Sequence, residues 1–185
     1  RDNVTVFGSG DMYANARGKN QNGGRIFIGT TNGSLRLFSG SELDVSGTDT
    51  NRDGVITLRT SRNATNDSIF DISNTRIKSK FTGAYRVNLE AVKSYDVINS
   101  DSSIKTDITT LNLNKIKSET SDFMKKANTI KTMLGRTQSF FHITPGVEIT
   151  SNASLTLAAD LDLSKWHSNN ENSGYLTLRA ANDIN

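Results

Sequence analysis

The chain has no cysteine, a single proline and no long apolar run. Without cysteine there is neither a disulfide framework nor a thiolate zinc site. No run approaches the roughly 18 apolar residues that a membrane-spanning helix needs. No secretory leader is recognisable, and a start at Arg1 rather than Met reads as an interior segment or a processed product. Aromatic residues make up 7% and apolar residues 34%, less than in a usual globular domain. Charge of one sign is also scarce: 22 Lys and Arg face 19 Asp and Glu, and the net charge of +3 is too mild to point to nucleic acid.

What replaces the missing residues is a set of small polar ones. Asp, Asn, Ser, Thr and Gly account for 90 of the 185 positions. Disorder is one reading of so polar a chain, but disordered segments are richer in proline and net charge and poorer in β-branched residues. Many short strands separated by polar turns fit better, because Asn, Asp, Gly and Ser tolerate the tight backbone of turns.

Apolar–polar–apolar triplets recur throughout. They are Val4-Thr5-Val6, Ile26-Phe27-Ile28, Leu35-Arg36-Leu37, Leu43-Asp44-Val45, Ile56-Thr57-Leu58, Val87-Asn88-Leu89, Val147-Glu148-Ile149, Leu155-Thr156-Leu157, Leu161-Asp162-Leu163 and Leu176-Thr177-Leu178. Each has period two, so one face of a strand can be buried. Leu35 to Ile56, Leu155 to Leu176 and Leu163 to Ile184 are each 21 residues apart. The segments around Leu35-Arg36-Leu37 and Ile56-Thr57-Leu58-Arg59 return at an offset of 120 as Leu155-Thr156-Leu157 and Leu176-Thr177-Leu178-Arg179. Self-similarity of this kind predicts an all-β fold, a parallel β-helix or β-solenoid of about 20–21 residues per coil and roughly seven coils. Its interior would hold Leu35, Leu37, Ile56, Leu58, Leu155, Leu157, Leu176 and Leu178. An antiparallel sandwich is the competing architecture.

One stretch departs from period two. Phe123, Met124, Ala127, Ile130, Met133 and Leu134 recur at three and four, which predicts a helix over about 118–134. Ser121 fits its N-cap and Gly135 the residue that ends it. The organisation read from this is strand coils over 1–110, a short α-helical insertion over 111–137 and further coils over 138–185.

Candidate sites are few. Asp49-Thr50-Asn51-Arg52-Asp53-Gly54 has the spacing of the first part of a calcium loop, with oxygens at positions 1, 3 and 5. Thr60 stands where the closing acid would be, and a polar corner closed by Gly54 is the alternative. His142 and His167 are far apart and outside metal-ligand spacing. Trp166 reads as cover for an apolar edge, or as a sugar platform. Lys115, Lys117, Lys125, Lys126, Lys131 and Arg136 read as the solvated face of the helix, or as a seat for an acidic partner. Asn-x-Ser/Thr triplets at Asn3, Asn32, Asn63, Asn66 and Asn152 occur at about the frequency chance gives. Asp160 and Asp162 alternate on one strand, a pairing that acid–base chemistry could use. No catalytic, cofactor-binding or metal-ligating set is assigned.

The stretch from Gly33-Ser34-Leu35-Arg36-Leu37 through Glu42-Leu43-Asp44-Val45 to Ile56-Thr57-Leu58-Arg59 resembles the coils of filamentous haemagglutinin-type exoproteins. Pro145-Gly146-Val147-Glu148-Ile149, Leu155-Thr156-Leu157-Ala158-Ala159-Asp160-Leu161-Asp162-Leu163 and Leu176-Thr177-Leu178-Arg179-Ala180-Ala181 do so too. A helix-like segment just before Pro145 is also similar to a C-terminal region of large members of that family, although Asn-rich turns stand here in place of Gly-rich ones. The resemblance implies a right-handed β-helix in a secreted or cell-surface protein of a Gram-negative bacterium, exported by two-partner secretion through an outer-membrane β-barrel transporter. It implies a structural and adhesive segment, not an enzyme, that meets host or bacterial receptors or glycans and self-associates into fibres. A toxin-exoprotein stalk and a polysaccharide-cleaving β-helix are the alternatives.

Overall fold

The computed structural model describes residues 3–30, 33–62, 75–97, 106–108, 110–158 and 174–185. The triplets among them lie in strands. In chain order these are β1 (Val4–Val6), β2 (Met12–Tyr13), β3 (Arg25–Gly29), β4 (Leu35–Leu37), β5 (Glu42–Asp44), β6 (Gly54–Ser61), β7 (Arg76–Ile77), β8 (Lys80–Thr82) and β9 (Ala84–Val97). After β10 (Thr106–Ile108) come two helices, α1 (Thr110–Met124) and α2 (Ala127–Leu134), and then β11 (Phe141–Ser151), β12 (Leu155–Leu157) and β13 (Tyr175–Ala180). Strand β6 shows why the sequence does this. Gly54, Ile56, Leu58 and Thr60 are buried while Val55, Thr57, Arg59 and Ser61 point outward, as a period of two requires.

Every pairing between these strands is parallel, and consecutive strands go to different sheets. One sheet has the order β1-β4-β7, a second β2-β5-β8, a third β13-β11-β9-β6-β3, and β10 pairs with β12. The five-stranded sheet is curled, and its spine is the eleven-residue register of Phe141–Ser151 against Val87–Val97. Where β9 meets β6 the register shifts between Gly54 and Val55. Tyr85 is the extra residue of that bulge, and its side chain is exposed. Just before it, Gly83 has φ +59°, and a Cβ there would lie 2.5 Å from the Ser46 nitrogen, so only glycine fits.

The all-β β-helix of 20–21-residue coils with a short helical insertion is therefore not the fold. The chain forms small parallel sheets and one larger curled sheet, mixed with two helices. The helices supply core: Leu113, Ile116, Phe123, Met124, Ile130 and Leu134 are all buried. The 21-residue spacing links strands of different sheets, Leu35 in β4 and Ile56 in β6. Hydrogen-bonded partners are farther apart, Val4 with Leu35 and Ile26 with Ile56. Ser121 is not an N-cap but lies inside α1. Gly135 does end α2 in the left-handed region at φ +67°, with its N–H 3.0 Å from the Thr132 carbonyl and that of Arg136 2.8 Å from Lys131.

Two apolar clusters hold the elements together. The larger runs from Val6 and Leu35 through Ile56, Leu58 and Leu89 to Phe123, Ile130 and Phe141. The smaller joins Leu113 and Ile116 of α1 to Val147, Ile149 and Leu155. Each fully buried Leu or Ile contributes about 1.5–3 kcal/mol. Leu35, Leu37, Ile56, Leu58 and Leu155 occupy the interior as the sequence predicts, with no exposed surface. Leu157 does not, being 38% exposed, and Leu176 and Leu178 are only partly buried. Helix α1 is also clipped to the sheet by charge: Lys93 Nζ lies 2.8 Å from Glu119 Oε2, which also accepts the Tyr95 hydroxyl.

Candidate functional site

The outer face of the five-stranded sheet brings functional side chains into rows, because parallel register stacks every second residue of each strand on its neighbours. One row is Phe27, Thr57, Asn88 and His142. The next is Gly29, Arg59, Glu90 and Thr144, and the one after it Ser61, Val92, Gly146 and Tyr175. Glu148 and Thr177 follow, then Thr150 and Arg179.

Arg59 is the hub. Its Nε lies 2.9 Å from Glu90 Oε2, and its guanidinium carbon is 5.1 Å from the Phe27 ring centroid and 4.7 Å from that of Tyr175. A cation between two aromatic faces is held by the ring quadrupoles as well as by the carboxylate. Two glycines make the room. A Cβ on Gly29 would sit 2.5 Å from Arg59 Cβ and 3.2 Å from Phe27, and one on Gly146 would sit 2.7 Å from Tyr175 Cε1. The Tyr175 ring thus lies across Gly146 and reaches toward Arg59. Farther along, Arg179 Nε pairs with Glu148, which is buried although it belongs to the outer face.

Burial sets the electrostatics at Tyr175. Burial pushes the Tyr175 phenol up, Glu90 adds to the rise and Arg59 opposes it, so the ring stays protonated. Its hydroxyl and the Thr144 hydroxyl are buried with no hydrogen-bond partner among the described residues. Glu90 and Glu148 each lie against an arginine. The face offers an exposed Phe27 ring, a half-buried Tyr175 ring and charged groups along both, the elements of a recognition surface.

The sequence-predicted sites fare differently. In the calcium-like turn, Asp49 Oδ1 accepts the Asn51 N–H at 3.0 Å and Oδ2 takes Arg52 Nε at 3.2 Å, while Asp53 Oδ1 accepts the Gly47 N–H at 3.2 Å. The turn is a corner satisfied by protein donors. No cluster of three or more His, Cys, Asp or Glu side chains suits a metal among the described residues. His142 lies in the first outer row beside Asn88.

The basic set on the helices is divided. Lys115 and Lys117 are exposed and Lys125 pairs with Asp122 at 2.7 Å, but Arg136 leaves the set. Its Nε and Nη2 donate to the Ile77 and Ser79 carbonyls at 2.8 and 2.5 Å, and its guanidinium covers Phe81 at 4.5 Å. Asn3 accepts the Ser34 N–H at 2.9 Å, and Asn152 is exposed. Asn32, Asn63, Asn66, Asp160, Asp162, Leu161, Leu163, Trp166 and His167 lie outside the described residues.

Sequence reasoning missed Phe27, Arg59, Glu90, Glu148, Tyr175 and Arg179. The signal was present as opposite charges 31 residues apart, Arg59 with Glu90 and Glu148 with Arg179. Compared with protein-family models, curated proteins and solved structures, the chain matches none.

Proposed function

We propose that the protein is a structural and adhesive segment of a large secreted surface exoprotein, binding through the outer face of its five-stranded sheet rather than catalysing a reaction. The observation that carries this reading is the Phe27–Arg59–Tyr175 cluster, an aromatic and charged surface built across three neighbouring rows of long parallel strands. Long hydrogen-bonded ladders resist deformation, so such a face meets a cell surface with little ordering cost. The similarity of the triplets to filamentous haemagglutinin-type proteins supplies the setting: a bacterial surface, export through an outer-membrane β-barrel transporter, and host or bacterial receptors or glycans as targets. Self-association into fibres belongs to the same reading. It is favoured by β3 and β13, which end the sheet with no further strand paired to them among the described residues.

The test is binding of the labelled chain to bacterial and epithelial cells and to an immobilised panel of neutral glycans. Phe27→Ser together with Tyr175→Ala should weaken binding at least about tenfold, the effect of losing an interface anchor. Phe27→Ser alone changes an exposed side chain and keeps the fold testable. Undiminished binding by a folded double variant would remove the sheet face from the function. Turnover of any glycan in the panel would replace adhesion with catalysis.

A further inference from the structure

A second site lies away from that cluster, where the loop after β2 meets the loop after β5. There Arg17, Gly18, Lys19, Asn20, Thr48 and Asp49 line an open cleft of about 500 Å³, within the size range of small-ligand sites. Its lining residues carry charged and hydrogen-bonding side chains, which favours a ligand that brings its own polar groups.

The charge balance of the cleft is positive. Arg17 and Lys19 are exposed and form no ion pair among the described residues. The one acidic lining residue, Asp49, is occupied on both oxygens by the Asn51 N–H and by Arg52 Nε. The same Arg52 reaches across with Nη1 to the Asn20 carbonyl at 3.1 Å, so a single guanidinium neutralises the acid and ties the two walls together. Thr48 closes the seam from the other side, its N–H 3.1 Å and its hydroxyl 3.3 Å from the Gln21 carbonyl.

The lip is also set in advance. Asn20 is the only non-glycine residue with positive φ among the described residues, at 58°. Asparagine tolerates that region better than most residues, and the Arg52 bond holds it there. What lines the cleft besides are the Arg17 and Lys19 cations, without an ion pair among the described residues, the Asn20 amide, and a Thr48 hydroxyl that donates to Gln21 and can still accept. That combination suits an oxyanion carried on a hydroxylated ring: cations for the carboxylate, amide and hydroxyl for neighbouring sugar hydroxyls.

We propose that this cleft binds a uronic acid residue of an acidic saccharide. The proposal stands apart from the adhesive role of the sheet face, since the Phe27 and Tyr175 substitutions leave the cleft intact.

The test is titration of the isotopically labelled full chain with tetragalacturonate, following backbone amide shifts by NMR. The expected result is saturable shifts confined to 17–20 and 48–52. The binding midpoint should rise at least about tenfold in an Arg17→Ala/Lys19→Ala variant, and binding should weaken with added salt as exposed charges are screened. Both substituted side chains are exposed, so the variant keeps its fold, and its unchanged amide pattern elsewhere verifies this. Any of these results would overturn the proposal: no shifts with tetragalacturonate, equal affinity in the double variant, or the same shifts with a neutral tetrasaccharide. Inorganic sulfate matching tetragalacturonate at equal anion concentration would reduce the site to a bare anion site and overturn the saccharide assignment.

Discussion

Replacing Phe123 with alanine tests whether the helices belong to the fold or merely interrupt it. The ring is fully buried, sits in the larger core cluster and lies beneath Arg62, whose guanidinium carbon is 4.8 Å from its centroid. Emptying such a site costs about 3–5 kcal/mol in lost transfer energy and cavity. Losing a desolvated cation–π contact adds roughly 1–2 kcal/mol. For a chain of this length each kcal/mol lowers the melting temperature by about 2–4 °C, so a fall of about 8 °C or more is expected. The assay is thermal unfolding followed in parallel by helix-sensitive and sheet-sensitive far-UV bands. If α1 shares the core, both signals fall together at the lowered temperature, as one cooperative unit requires. If the sheet signal melts at the parent temperature, or the total shift is under about 2 °C, the helices are a detachable insertion and the core assignment fails. Should the alanine variant not fold, Phe123→Leu, which keeps most of the volume, should shift the same way by about 1–1.5 kcal/mol.

The remaining predictions concern acid and burial. For Glu119, partial burial raises its pKa, but hydrogen bonds from Lys93 and Tyr95 and the charges of Lys93 and Lys115 outweigh it and hold the carboxyl below its reference of 4.5. Its stabilisation is therefore complete above pH 4.5 and is lost as pH falls through the depressed folded value. Glu119→Gln should lower stability at neutral pH by about 1–2 kcal/mol and flatten the acid limb of the melting-temperature profile. An acid limb as steep as the parent's would show that the clip is not what titrates. Leu155→Asp, at a site with no exposed surface, should cost about 3 kcal/mol or more by burying an unpaired charge. Leu157→Asp, at a 38% exposed site, should cost less than about 1 kcal/mol in the same chemical denaturation series, and equal costs would refute the inward–outward assignment of β12.

The strands were legible in the sequence because a triplet such as Ile56-Thr57-Leu58 needs only its own three side chains to declare a buried face. Their partners were not, and the reason is geometric. Triplets follow one another so closely that Leu35 meets a similar one at Leu43 and again at Ile56, so several spacings produce matches. Only the path of the chain selects among them. Because consecutive strands enter different sheets, Leu35 pairs with Val4 and Ile56 with Ile26 and Val87. A repeat of apolar residues cannot carry that information, since any Leu or Ile stacks acceptably on any other. Charge narrows the choice, because Arg59 opposite Glu90 is favourable, although Arg36 opposite Arg76 shows that like charges also stack here. The same distinction explains the helix. Phe123, Met124, Ile130 and Leu134 announced its apolar stripe, whereas its first half, with Asn112 and Asn114 alternating with Leu111 and Leu113, has the period of a strand. What decides that segment is the partner it covers: Leu113 and Ile116 bury against Val147 and Ile149, and Glu119 closes on Lys93. The proposed recognition surface was hidden for the same reason as the register. Phe27, Arg59 and Tyr175 are spread over 149 residues of chain and become neighbours only when β3, β6, β11 and β13 share one sheet.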